Sequence, residues 1–277
     1  FYAKNRDEST HVYALRGLRV AVYENEFFAI MGPSGSGKST LFNMIGALQT
    51  PTGGEVLIEG INLATLSPQQ LAAVRCFELG YIFQTYNLLP VMSALMNVAL
   101  PTVFAGMTTE EGEARAMECL KIVGLDDRAH HIPSELSGGQ QQRAAIARAL
   151  VQQSKIVLAD EPIASLDPAS SKRVMETLRN INEEDGITVV VSLHQVDYAY
   201  RYCPRTVALR DGKIIYDGPS DALTPAFLHD LYGAASDELI LGERAAANVA
   251  TAKDPSRPPK QVLVPPKPRP DCAVATA

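Results

Sequence analysis

Gly32-Pro33-Ser34-Gly35-Ser36-Gly37-Lys38-Ser39 keeps the spacing G-x-x-x-x-G-K-[S/T], with Thr40 following. Residues of these types in this order handle phosphate. The glycines let the backbone curl so that successive N–H groups point at phosphate oxygens. A helix opening at Ser39 would add the positive end of its dipole. Lys38 would reach the β- and γ-phosphates of a nucleotide, and the Ser39 hydroxyl would offer an oxygen to Mg²⁺. Further along, Leu158-Ala159-Asp160-Glu161 ends an apolar run in two carboxylates. Asp160 suits Mg²⁺, directly or through its water, and Glu161 suits a general base acting on an attacking water. His194 ends another apolar run and could reach the γ-phosphate or that water. Each has a plainer reading: a glycine turn before a helix, an acidic pair opening a loop, a structural histidine. His11, His130, His131 and His229 have no such placement and read as surface residues.

Three elements must position these groups. Glu26–Met31, Lys155–Ala159 and Ile187–Leu193 are continuous apolar runs, which suits strands buried on both faces of a parallel sheet under helices. In such α/β sheets ligands bind at the carboxyl ends of the strands. A helix is expected over Ser39–Leu48. Residues 85–152 read mainly helical, with apolar residues at helical spacing in Glu110–Val123 and an Ala- and Arg-rich stretch over Gln140–Val151. Asp167-Pro168 reads as an N-cap with Pro at the first helical position, opening a helix toward Asn182 that Gly186 ends. Ala94–Met107 is apolar but is interrupted by Asn97, Pro101 and Thr102, too soon for a membrane span of about 20 residues.

Composition bounds the function. The 277 residues are 46% hydrophobic and 20% charged, which fits an ordinary globular protein of one large domain or two small ones. Cys76, Cys119, Cys203 and Cys272 are scattered without a C-x-x-C pair, against zinc or a disulfide framework and in keeping with a reducing compartment. A net charge of −6 argues against nucleic acid as a partner, because phosphate neutralisation needs clustered Lys and Arg. The first residues hold no apolar signal core. They also lack an initiator Met, so residues preceding Phe1 are expected. Residues 253–277 carry seven of the 18 prolines, and the tail over 241–277 is expected to be disordered or extended.

The nucleotide is read as ATP. No N-K-x-D element for guanine is present, and adenine needs little more than stacking, for which Tyr13 is a candidate, an ordinary core role being the other reading. Leu136-Ser137-Gly138-Gly139-Gln140, followed by Gln141-Gln142-Arg143, is a second glycine-rich turn opening a helix, hence a second anion site in one chain. With this element the chain resembles the ATP-binding cassette ATPases over about residues 8–235. The resemblance implies an α/β P-loop NTPase core with a mainly parallel sheet, an N-terminal antiparallel β region and a helical subdomain inserted at 85–152, all within residues 1–240.

The resemblance also implies roles. Gln84, after Gly80-Tyr-Ile-Phe83, matches the glutamine that senses Mg²⁺ and a membrane partner. Ser165-Leu166-Asp167 matches the loop crossing a dimer interface, and Tyr13 the adenine-stacking aromatic. A head-to-tail dimer is implied, in which Ser137–Gln140 of one copy closes on ATP held by Lys38 of the other. So is an integral membrane permease, with this subunit peripheral on the cytoplasmic face of the cell membrane. From Tyr13 to Leu136 the chain resembles the ATPases of lipoprotein-releasing and macrolide-type exporters (Leu41–Gly46, Pro51–Val56, Phe83–Pro90). From Gln152 to Asp237 it resembles the phosphonate-import ATPase (Ala159–Pro168, Leu193–Ala199). In the family the permease docks beside the Gln84 loop, so residues 84–135 tilt the expectation slightly to an export system, with phosphonate import nearly level. A soluble, non-transport cassette ATPase is the further alternative, although the chain has no coiled-coil insertion, zinc hook or tandem cassette.

Overall fold

Alternation along a strand divides the core into two layers. In a computed structural model, which describes residues 13–233, Phe27–Met31 (β1) is buried along its whole length. Phe27, Ala29 and Met31 join one buried cluster, and Phe28 and Ile30 another on the opposite face. β1 pairs in parallel with Thr188–Ser192 (β6) on one side and with Arg205–Arg210 (β7) on the other. Ile156–Ala159 (β5) lies beside β6, and Leu79–Ile82 (β4) beside β5, both parallel. Lys213–Pro219 (β8) runs antiparallel to β7, giving the order β4-β5-β6-β1-β7-β8. The fold is therefore α/β with a mainly parallel sheet. The three strands expected from sequence are β1, β5 and β6.

Helices cover both faces. Lys38–Ile45 (α1) sets Leu41 and Phe42 against Phe28, Ile30, Leu158 and Val190. Gly138–Leu150 (α5), Pro168–Asp185 (α6) and Val196–Tyr202 (α7) cover the other face, with Ile146, Met175, Leu178 and Ala199 fully buried. Phe28 and Phe42 are both 0% exposed, and truncating either to Ala would cost about 3–5 kcal/mol. α1 stops short of the expected Leu48. Gly46 caps it, and Ala47 turns into the left-handed region at φ 54, which ends the helical hydrogen bonding. α6 follows its sequence signals: Asp167 accepts from the Ser170 N–H, Pro168 is the first helical residue, and Gly186 closes the helix at φ 66.

The antiparallel component expected in the N-terminal part is present and small. Residues 13–25 form no strand. They are held at the β7–β8 end by isolated bonds, Arg16 N–H to the Gly212 carbonyl at 2.8 Å and Arg205 Nη1 to the Ala21 carbonyl at 2.9 Å, rather than by a ladder. The small antiparallel sheet is formed by Leu57–Ile58 (β2) with Ile61–Asn62 (β3). Pro68–Phe77 (α2) follows, opened by a Ser67–Gln70 capping box.

Between β4 and β5 lie Ala94–Phe104 (α3), Thr109–Ile122 (α4) and α5, packed on one another through Leu95, Val98, Ala116, Leu120 and Ala144. Asn97 interrupts the apolar pattern for a structural reason. It is fully buried; its Oδ1 accepts from Leu89 N–H, and its Nδ2 donates to the carbonyls of Leu89, Met92 and Ser93, cinching the loop before α3. No helix among the described residues is long and apolar enough to cross a membrane. After β8 the chain ends its described part in Pro225–Tyr232 (α8). His11 and the proline-rich tail lie outside the described residues.

Candidate nucleotide site

The carboxyl ends of β4, β5, β6 and β1 lie along one edge because all four strands are parallel neighbours. Gln84 follows β4 by two residues and is exposed; Asp160 and Glu161 follow β5; His194 follows β6; and Gly32–Thr40 follows β1. The phosphate loop is built from strained backbone that only glycine accepts cheaply. Gly35 and Gly37 lie at φ 78 and φ 104, and a Cβ on Gly37 would come 2.6 Å from the Ala14 carbonyl oxygen.

Inside this loop Lys38 is 5% exposed and turns its ammonium back onto the loop, donating to the carbonyls of Gly32 at 2.8 Å and Pro33 at 3.2 Å. Burial lowers its pKa, and the nearby carboxylates of Glu161 and Asp160 oppose that fall. Ser36 Oγ is buried with no hydrogen-bond partner. An oxygen-rich anion seated on the loop would satisfy it. Ser34 and Ser39 are exposed, while Pro33 and Thr40 are half-buried.

The acidic pair is fixed by a residue the sequence reading did not single out. Ser192 Oγ, on fully buried β6, donates to Asp160 Oδ1 at 2.7 Å and accepts from the Glu161 N–H at 2.7 Å. A lone serine closing a run of valines was the available signal. Glu161 is held at φ 48 ahead of Pro162, a costly conformation for a residue with a Cβ. Its Oε1 lies 2.5 Å from His194 Nε2. Burial raises the Asp160 pKa, opposed by the Ser192 hydrogen bond and by Lys38 and Ser39. The structure thus gathers Lys38, Ser39, Asp160, Glu161 and His194 around one point.

Among the described residues no three His, Cys, Asp or Glu side chains form a metal cage. Mg²⁺ needs none, since it binds through one or two carboxylates together with waters and substrate phosphates. The oxygens of Ser39, Asp160 and Gln84 fit that donor set, and a buried carboxylate with a raised pKa is one that a cation would relieve.

The Ser137–Gln140 turn makes a different set of contacts. Ser137 caps α5 in a reciprocal box with Gln140, and buried Leu136 precedes it. A Cβ on Gly139 would meet Ser170 Oγ at 2.5 Å, and one on Gly138 would meet Tyr86 Oη at 3.0 Å. The turn therefore packs against the start of α6 and the loop after Gln84. At the far end of α5, Arg148 donates to the carbonyls of Tyr86 and Asn87, both residues with positive φ. Asp167, capping α6, is exposed, and the hydrogen bonds from Ser170 lower its pKa. Tyr13 is 58% exposed.

A glycine-rich loop after β1, an acid pair after β5 and a histidine after β6, the strand between them, are the arrangement of an ATP-binding cassette. The chain belongs to the ABC transporter family, whose pattern matches residues 15–164, and it is an ATP-binding subunit with ATPase activity. It is 47% identical over 207 residues to the ABC transporter ATP-binding protein MJ0796 of Methanocaldococcus jannaschii, covering 73% of this chain and 88% of that one. It is 48% identical over 248 residues to the phosphonates import ATP-binding protein PhnC of Stutzerimonas stutzeri, covering 85% of this chain and 90% of that one. Among solved structures, the dimeric post-hydrolysis state of MJ0796 bound to ADP and Pi superposes with a TM-score of 0.71 at 44% identity, over 76% of this chain and 93% of that chain.

Proposed function

We propose that two copies of this chain clamp two ATP molecules head to tail, and that hydrolysis drives a separate membrane permease on which the subunit sits peripherally at the cytoplasmic face. The observation that carries the reading is the convergence of Lys38, Asp160, Glu161 and His194 on one sheet edge, while the Ser137–Gln140 turn packs with α6 and the Gln84 loop. One chain has no use for two phosphate sites on one ATP, but a second copy does. The dimeric assembly of MJ0796 supports this arrangement.

In the proposed cycle the N–H groups from Gly35 to Thr40 hold the phosphates, and Lys38 leaves the Gly32 and Pro33 carbonyls for the β- and γ-phosphate oxygens. Tyr13 stacks on adenine. Mg²⁺, held by Ser39, Asp160 and Gln84, would supply positive charge against the transferring phosphoryl group. Glu161 takes the proton of the attacking water, and His194 orients that water and the γ-phosphate. Ser137, Gly138, Gly139 and Gln140 of the second copy, with Leu136 beneath them and Asp167 at the crossing, complete the charge stabilisation. Closure is favoured because ATP contacts both copies only in the closed state.

Residues 85–152 are proposed to move as one helical arm within a cassette of residues 1–240. The permease is proposed to seat in the cleft lined by Leu48, Tyr81, Phe83, Asn87, Pro101 and Arg148. Phosphonate import is the favoured cargo, because relatives named for it match 82–88% of this chain, beyond the phosphate loop and through its C-terminal part. Lipoprotein- or macrolide-type export is the second reading, favoured by the residues 84–135 that flank the cleft. Reconstitution with a phosphonate-type or an exporter-type permease tests this. ATP turnover stimulated by a phosphonate-loaded binding protein supports import; stimulation only by the exporter-type partner overturns it.

A further inference from the structure

The start of the phosphate loop is buttressed from the C-terminal side of the chain. Gly32 is where the backbone leaves β1, and it is wedged so tightly that a Cβ there would lie 2.2 Å from the Leu209 carbonyl oxygen on β7 and 2.7 Å from Ser36 Oγ. Further round the loop, the Ser36 carbonyl accepts from the Gly212 N–H at 3.1 Å, in the turn between β7 and β8. The Gly32 N–H, now beyond its strand, donates to Tyr232 Oη at 3.2 Å, across 200 positions of sequence.

Tyr232 is the last residue of α8. That helix is seated by buried Leu228 and Leu231 and by Arg210, which ends β7 and reaches both the carbonyl and the carboxylate of Asp230. Burial pushes the Tyr232 phenol up to about 12, so it stays protonated and uncharged at neutral pH. A buried backbone N–H left without a partner is destabilising. The acceptor comes from 200 positions further along the chain.

We infer that Tyr232 is a positioning residue of the phosphate loop: its hydroxyl fixes Gly32 and so links nucleotide affinity to the seating of α8. The link is reciprocal, since whatever strengthens the Gly32–Tyr232 contact on nucleotide binding also holds α8 down. The inference rests on the reading that nucleotide binds the Lys38 loop.

Tyr232→Phe keeps the ring and removes only the oxygen. A fluorescent ATP analogue is titrated into the full-length wild type, Lys38→Ala and Tyr232→Phe. Saturable binding by wild type that Lys38→Ala abolishes upholds the underlying reading; its absence overturns that reading and this inference together. With that reading upheld, Tyr232→Phe is expected to bind roughly three- to tenfold more weakly. KM for ATP should rise in step while kcat moves far less, and the Gly32 amide proton resonance should shift upfield. An affinity within twofold of wild type overturns the inference. Should the variant fail to fold, hydrogen exchange on the wild type decides: saturating nucleotide is expected to slow exchange at Gly32 and across α8, and unchanged rates in α8 overturn the link.

Discussion

His194 Nε2 stands 2.5 Å from Glu161 Oε1, and the backbone of Glu161 is pinned by Ser192 from the same strand that delivers the histidine. One carboxylate is thus aimed by two groups, Ser192 at the end of β6 and His194 two residues beyond it. Glu161→Gln preserves that shape and removes the carboxylate proposed as the base. It is expected to bind ATP within a few-fold of wild type, lower kcat by about 10²–10⁴, and accumulate a dimer with ATP in light-scattering chromatography. Normal turnover would remove Glu161 from the chemistry.

Lys38→Ala deletes the loop's ammonium, proposed to bind phosphate, and leaves two loop carbonyls without their donor. Nucleotide binding by calorimetry should vanish, and stability should fall by about 1–3 kcal/mol. Unchanged affinity would contradict the phosphate cradle.

Asp160 titrates above the ordinary carboxylate value of 3.8 because it is buried. Its ionised form attracts Mg²⁺, and that form disappears as pH falls through the raised pKa. The Mg²⁺ concentration for half-maximal turnover should therefore rise on acidification, beginning at a higher pH than an exposed aspartate would give. Asp160→Asn should need far more Mg²⁺ at every pH. A pH-independent Mg²⁺ requirement in wild type, measured over the folded range, would count against a metal role.

Gly139 faces Ser170 so closely that an added methyl must displace α5 from α6. Gly139→Ala should hold ATP normally yet hydrolyse it at least tenfold more slowly. Adding Ser170→Gly, which removes the obstructing side chain, should restore much of the loss. An additive double variant would show that the crowding is irrelevant.

Arg148 grips the Tyr86 and Asn87 carbonyls with two arms of its guanidinium. Arg148→Ala should cost about 1.5–3 kcal/mol in chemical denaturation. In reconstituted membranes, stimulation by the permease should fall more than the basal ATPase rate does. Equal losses in both would argue for a purely structural part.

The residues that meet at the strand ends were legible because their spacing is local. Gly32–Ser39 is a contiguous pattern, and Asp160, Glu161 and His194 each close an apolar run. The three strands and the α6 caps followed from the same local rules. What the sequence concealed depends on contacts across the fold. Ser192 reads as one polar residue in a strand until β5 is known to lie beside it. Tyr232 and Arg148 act on backbone 200 and about 60 residues away, respectively, and no periodicity encodes that.

The middle position of β1 carries a lesson about timing. This strand is made before both of its neighbours, β6 and β7, which begin only at Thr188 and Arg205. Co-translational folding proceeds from the amino end, and distant pairings are the slow ones. A nascent polypeptide therefore carries an unfinished loop after β1 until β7 has been made, and fragments ending before β7 should emerge with that loop unsupported and its hydrophobic strand open to chaperones.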